Sequence, residues 1–246
     1  MNDEVGGVRI PRRYRRLWGQ EEPAKRGPRP GLTLDEVADA AIAIADAEGL
    51  AAVSMSRVAK ALGYTTMSLY RYVDSKDELV GVMFDRAMPD PPRPAPGTPW
   101  RPALERWAHA QLDVLRAHPW GATMPVAGPP LSPGTLRWLE AGLAVLDDTP
   151  LTPEEKVGLV SVVSLSVLNA ARLEQEMTSG DGVTTAEYAR AIAALLDPAT
   201  HPHLIAAVQA GAFADEGPGE DFVFGLALTL DGVESIIARR AEGAAR

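Results

Sequence analysis

The 246-residue chain contains no cysteine. A disulfide scaffold, a zinc finger and a cysteine nucleophile are thereby excluded, and a reducing compartment is compatible with that absence. Histidine is scarce, at four residues, which leaves few options for a catalytic triad. There is no Gly-rich phosphate loop, no GxSxG elbow and no HExxH pair, so the short motifs of nucleotide, hydrolase and zinc-protease chemistry are missing. No stretch of useful length alternates apolar and polar residues as a half-buried strand would, and no internal repeat emerges. The charged N-terminus lacks the apolar core of a secretory signal. The most apolar run, residues 157–168, is interrupted by Ser161, Ser164 and Ser166. It falls short of the ~20 apolar residues of a membrane span and is read as a buried core helix. These absences lead to the expectation of a cytoplasmic globular protein that is not an enzyme, with no membrane partner, cofactor or metal.

The charge that is present is unevenly placed. The chain carries a net −9, which at first sight argues against a nucleic-acid partner. Residues 1–30, however, hold eight Lys/Arg (Arg9, Arg12, Arg13, Arg15, Arg16, Lys25, Arg26, Arg29) against four acids, a net of +4, leaving −13 on the other 216 residues. A basic arm on an acidic body suits a protein that meets phosphates at one end only.

Four regions follow. Residues 1–32 are basic and rich in Gly and Pro and are expected to form a flexible arm. Residues 33–88 read as four short helices. Residues 89–99 hold six prolines and mark a linker. Residues 100–246 read as a run of longer helices. The expected fold is all-α: an N-terminal three-helix helix-turn-helix domain plus a C-terminal helical domain.

The first helix opens on the capping box Thr33-Leu34-Asp35-Glu36 and stops at Gly49. Ser54 caps a second, with Val58, Ala59 and Leu62 on one face and Gly63 at its end. A turn at Tyr64 and Thr65 leads to a third helix, expected over 66–72. Ser75-Lys76-Asp77-Glu78 reads as another capping box. Two short helices around one glycine turn make a helix-turn-helix, whose second helix enters the major groove. With Leu69 and Val73 facing the core, Thr66, Met67, Ser68, Tyr70, Arg71 and Tyr72 are left exposed. Thr66 and Ser68 can hydrogen-bond bases or phosphates, Met67 can cover a thymine methyl, and Arg71 can take a guanine or a phosphate. Tyr70, Tyr72 and Lys76 suit phosphates, which set register without reading sequence.

The strings Ser56-Arg57-Val58-Ala59-Lys60-Ala61-Leu62-Gly63, Ser68-Leu69-Tyr70-Arg71-Tyr72-Val73 and Ser75-Lys76-Asp77-Glu78-Leu79 make residues 33–88 resemble the DNA-binding domain of the tetracycline-repressor (TetR) family. The resemblance implies DNA-facing positions at Thr66, Met67, Ser68, Tyr70, Arg71, Tyr72 and Lys76, and a phosphate contact at Ser56. Tyr72 departs from the repressor that gives the family its name, which has histidine there. The basic clusters 12–16 and 25–29 precede this domain. Arg12, Arg13, Arg15 and Arg16 are candidate minor-groove or phosphate contacts, or else belong to a solubilising leader.

Beyond the linker, helices are expected from 100 to 117, from Ser132 through Leu146, from Pro153 to about 177, over 184–196 and 202–210, and from 221 to 240. The first half of the 153–177 helix is apolar nearly all round and should be buried on most sides. Gly225 and Gly232 inside the last helix suggest close helix approach, since glycine otherwise costs ~1 kcal/mol there. The stretch from His201 to Glu234 resembles the C-terminal domain of the tetracycline-repressor subgroup. That resemblance implies a four-helix dimer interface, here from 153–177 and 221–240, and a ligand pocket. Candidate lining residues are Trp107, His109, Gln111, His118, Trp120, Met124, Trp138, Asn169, Arg172, Glu176 and Met177. Asn169 and Arg172 share a helix face and are the preferred polar anchors, with the dimer interface as their alternative use. His201 and His203 alone are too few to assign a metal.

The expected function is a ligand-responsive transcriptional repressor. As a homodimer it binds palindromic double-stranded operator DNA, and a bulky, partly aromatic small-molecule inducer releases it. The alternatives are a ligand-independent DNA-binding regulator or an activator, and less favoured, an enzyme.

Overall fold

The computed structural model describes residues 4–5, 8–20, 31–124, 131–178, 185–213 and 219–244. Their regular elements are helices apart from a short antiparallel pairing of Glu4–Val5 with Val8–Arg9. The chain forms two compact units, divided between Ser164 and Leu165.

In the first unit, α1 (Arg12–Leu17) precedes the four short helices α2 (Leu34–Glu48), α3 (Met55–Leu62), α4 (Thr66–Leu69) and α5 (Lys76–Ala87). The arm thus contains a helix where a flexible segment was expected, and Leu17 packs on the core of the helices that follow. Each start is set by a local side chain. Thr33 accepts from the Glu36 amide while Glu36 accepts from the Thr33 amide at 2.7 Å. Ser54 caps α3 through the Arg57 amide, and Gly63 closes it in the left-handed region at φ +74°, a conformation that glycine adopts without strain.

α4 is shorter than the spacing predicts. Past Leu69 the backbone continues as turns, with the Tyr72 amide donating to the Leu69 carbonyl at 2.8 Å, while the Tyr72 hydroxyl donates to the Leu32 carbonyl at 2.7 Å and the Asp74 amide to Glu78 at 2.6 Å. The Ser75 box is likewise only half formed. Ser75 caps Glu78, but the buried Glu78 carboxylate reaches past the cap residue to Asp74.

Val37, Ala38, Ala41 and Ala45 of α2, Val58 and Ala59 of α3, and Leu79, Val82 and Met83 of α5 form one core with Leu69 and Val73. Each large side chain so buried contributes roughly 1.5–3 kcal/mol. At its edge Arg86 makes a two-pronged ion pair with Asp39, at 2.9 and 3.1 Å, clamping α5 to α2.

α6 (Trp100–Ala117) and α7 (Pro133–Val145) complete the first unit with the opening turns of α8 (Pro153–Thr178). Gly142 lets α7 close on its neighbours: a Cβ there would lie 2.9 Å from the Trp107 ring and 3.0 Å from Val160. α8 opens on a capping box between Thr152 and Glu155.

The second unit holds the rest of α8, with α9 (Thr185–Leu195), α10 (Pro202–Gln209) and α11 (Glu220–Ala244). Tyr188 of α9 meets Phe213 edge-on at 5.7 Å. Among the described residues, a Cβ at Gly225 or Gly232 would meet nothing within 4 Å. One expectation is corrected here: in the single chain, α8 is not buried on most sides. Leu159, Val160, Val163 and Val167 are covered, whereas Val157, Val162, Leu165 (60 % exposed) and Leu173 face outward. Counted from Pro153 to Met177, this helix is also long and apolar enough, by length and composition, to cross a membrane, contrary to the estimate from residues 157–168 alone.

Candidate functional site

The helix-turn-helix presents its second helix with little shielding. Met67 is 74 % exposed, Tyr70 and Arg71 are exposed, and Thr66 and Ser68 are half-buried. Ser68 shares a 3.0 Å hydroxyl contact with Thr65, the residue that precedes α4. Ser56 lies exposed on the first turn of α3, 3.2 Å from the Ser54 hydroxyl. Lys76, at the start of α5, reaches the Leu50 carbonyl at 3.4 Å and is otherwise exposed. Ser56, Thr66, Met67, Ser68, Tyr70, Arg71 and Lys76 are therefore placed on α3, on α4 and the turn that follows it, and at the start of α5. Arg57 of the same region hydrogen-bonds Glu48, which holds that carboxyl below the usual carboxylate range.

Tyr72 departs from the expected outward position. Its ring packs on the domain core and its hydroxyl donates to Leu32, so its polar end is engaged inside the protein. Of the arm residues, Arg16 also turns inward. Its guanidinium donates to the Tyr72 carbonyl and pairs with Glu78 at 3.2 Å, with the two side chains only 10 % and 7 % exposed. Arg15 is half-buried. The side chains of Arg12 and Arg13, and the whole cluster 25–29, lie outside the described residues. Nothing local in the sequence pairs Arg16 with Glu78, 62 residues away.

The expected ligand-lining residues fall into separate groups. In the first unit three tryptophans are buried, each with its indole N–H satisfied. Trp107 donates to the Trp138 carbonyl (3.0 Å), Trp138 to Pro89 (2.8 Å) and Trp120 to Asp46 (2.7 Å). Trp107 and Trp138 pack together with centroids 6.2 Å apart. Trp120 sits in the core of the helix-turn-helix domain, and Met124 packs against that core. These side chains are packed and hydrogen-bonded within the first unit. Asp46, missed in the sequence, accepts from both Trp120 and His118 (2.9 Å). His109 is exposed and bonded to the Glu105 carbonyl through its ring, and Gln111 is half-buried. In the second unit Asn169, Glu176 and Met177 are exposed and Arg172 is half-buried. An open groove between α7 and α8, lined by Glu140, Leu143, Asp147, Lys156 and Val157, contains none of the expected lining residues. No cluster of three or more His, Asp or Glu able to hold a metal occurs among the described residues.

Two family models match this chain. The model for bacterial regulatory proteins of the tetR family covers residues 33–83, and that for the tetracyclin repressor-like C-terminal domain covers residues 93–237. The HTH-type transcriptional repressor DrrR1 of Streptomyces coeruleorubidus is 39 % identical over 245 residues, spanning 96 % of this chain and 89 % of its own. Among solved structures, the TetR family protein ActR of Streptomyces coelicolor in complex with actinorhodin superposes with a TM-score of 0.74. It is 25 % identical and covers 85 % of this chain and 98 % of its own. ActR in complex with (S)-DNPA gives 0.72 at 27 % identity, covering 83 % and 98 %.

Proposed function

This chain belongs to the TetR family of bacterial regulatory proteins, and from that premise we propose that it is a ligand-responsive repressor acting as a homodimer on a palindromic operator. Residues 33–88 are the DNA-binding domain, 89–99 the linker and 100–246 the ligand-binding and dimerisation domain. The protein works in the cytoplasm, where its DNA is. The observation that carries the reading is the capped helix-turn-helix with Met67, Tyr70 and Arg71 standing clear of its core. Ser56, Thr66, Ser68 and Lys76 add hydroxyl and ammonium donors around them.

The dimer is supported by apolar surface that the single chain leaves open. α8 exposes Val157, Val162, Leu165 and Leu173, and α11 exposes Val223, Phe224 and Leu228. Apolar faces of this extent on long helices mark association sites. A two-fold dimer also supplies the second reading helix that a palindrome requires. The inducer is a bulky, partly aromatic small molecule. ActR, which binds actinorhodin and (S)-DNPA in its crystals, supports that class, and Asn169, Arg172 and Glu176 of the second unit are the polar groups proposed to meet it.

One observation favours a ligand-independent regulator instead: Trp107, Trp120 and Trp138 are all closed by packing and hydrogen bonds. A gel-shift titration on the DNA upstream of the protein's own gene, with and without candidate aromatic antibiotics, separates the two readings. Saturable binding to a palindrome that one compound relieves is the expected result. Binding that no compound relieves would favour the ligand-independent reading, and Tyr70→Ala binding as tightly as wild type would remove α4 as the reading helix.

A further inference from the structure

We infer that Arg16, from a helix outside the helix-turn-helix, is a positioning residue for DNA reading: it holds the turn 72–74 that fixes the end of the reading helix. The inference rests on the DNA-binding function proposed above. α4 has four residues, and Thr65 makes no side-chain cap to it. A helix of one turn has no stability of its own, because nucleation is unfavourable and only tertiary contacts repay it. Its orientation is therefore set by what anchors its two ends.

The leading end is anchored by the Gly63 turn. The trailing end passes through Tyr70 and Arg71 into residues 72–74, and there, beside the buried Val73 and the Tyr72 hydroxyl bond to Leu32, one charged pair holds the backbone at both ends of the turn. Arg16 donates to the Tyr72 carbonyl and, at 3.2 Å, to the Glu78 carboxylate. The other Glu78 oxygen accepts from the Asp74 amide at 2.6 Å, while the Glu78 amide donates to Ser75 at 3.1 Å. One buried carboxylate and one buried guanidinium thus fasten both ends of the turn that follows Arg71. A buried ion pair is a weak source of stability but a directional one, and removing one partner leaves the other uncompensated. Without Arg16, the Glu78 carboxylate loses its cationic partner and would turn toward water, which loosens its hold on Asp74. Arg71 and Tyr70 lie directly before this turn. Contacts to base edges need hydrogen-bond geometry, so a displaced turn would weaken specific binding most.

The geometry also argues against a direct phosphate contact by Arg16, whose guanidinium faces inward and is 10 % exposed. The two roles give different signatures. A phosphate contact adds about 0.9 to the slope of log affinity against log salt, for specific and random DNA alike. A positioning residue changes specific affinity and leaves the slope alone.

The test first uses the wild-type full chain to select a duplex from random-sequence DNA. Wild type and variants are then titrated on that duplex and on a random duplex across a salt series, well below their melting temperatures. Arg16→Ala is expected to bind the selected duplex at least about tenfold more weakly, with little change on random DNA and an unchanged salt slope. Glu78→Gln should show the same defect, the double variant should be no worse than the worse single one, and Arg16→Lys should recover part of the loss. A salt slope lower by about one would make Arg16 a phosphate contact and overturn the inference. So would unchanged affinity with only a lowered melting temperature, or additive losses in the double variant. If wild type enriches no duplex, the proposed function itself fails and this inference falls with it.

Discussion

Tyr70 and Tyr72 sit two residues apart in the same exposed-looking string, yet their hydroxyls have different fates. Tyr70 is exposed, whereas Tyr72 donates to the Leu32 carbonyl at 2.7 Å. Tyr72→Phe removes a part-buried hydrogen bond and is expected to lower unfolding stability by about 1 kcal/mol, read from urea titration, while the salt slope of DNA binding stays as it was. Tyr70→Ala should do the reverse, keeping stability and weakening operator binding. A salt slope that falls in Tyr72→Phe would contradict its assignment as a packing group. Gly142 gives a second residue-level prediction. A methyl group there meets the Trp107 ring at 2.9 Å and Val160 at 3.0 Å, so Gly142→Ala should destabilise by roughly 1–3 kcal/mol through overpacking. A variant as stable as wild type would show that α7 can shift away. Helical spacing was enough to place Leu69 and Val73 in the core. It could not place Tyr72 or Arg16, because their partners Leu32 and Glu78 lie 40 and 62 residues away. The buried tryptophans escaped it for the same reason, since their acceptors Asp46, Pro89 and the Trp138 carbonyl belong to other elements.

Element starts were legible because caps are local. Thr33, Ser54, Ser75 and Ser132 each accept from the amide three residues on. The end of α4 was not, since past Leu69 the helical bonding gives way to turns that no capping residue announces. Thr33→Ala breaks a reciprocal box and should cost about 1 kcal/mol or more of stability, within the 0.5–2 kcal/mol range of N-cap losses. The link between α2 and α3 has a pH signature. The hydrogen bond from Arg57 lowers the Glu48 carboxyl below its ordinary value. A lowered carboxylate contributes stability that is present above its unfolded value and is lost as pH falls through the folded one. Both side chains are exposed, so the effect is small. Glu48→Gln should melt slightly below wild type near neutrality, and the two curves should converge in acid. A gap that persists at low pH would mean that the glutamate acts through packing instead of charge.

At the scale of the whole molecule, the most consequential departure from the sequence reading is α8. Its apolar first half promised burial on most sides, yet in the single chain Val157, Val162, Leu165 and Leu173 remain outside, as Phe224 (67 % exposed), Val223 and Leu228 do on α11. Composition alone reports that a face is apolar and cannot say whether the same chain or a second copy covers it. Gly225 and Gly232, with open space where a Cβ would stand, are consistent with a partner helix approaching α11 from outside the protomer. If a second copy covers these faces, two charges placed there must be desolvated on association, an unfavourable change. Leu165→Glu combined with Phe224→Glu should therefore give a monomer by light scattering with wild-type helicity by circular dichroism. Half a palindrome should still bind that monomer weakly, and the full operator should no longer bind with the affinity of two linked heads. Inducer control should fade with it, because ligand and DNA influence one another only through states that both can bias, and that coupling is reciprocal. A double variant that remains dimeric would move the interface off α8 and α11. One that is monomeric yet binds the palindrome as tightly as wild type would show that the operator is read by one head, and the dimeric repressor mechanism would have to be abandoned.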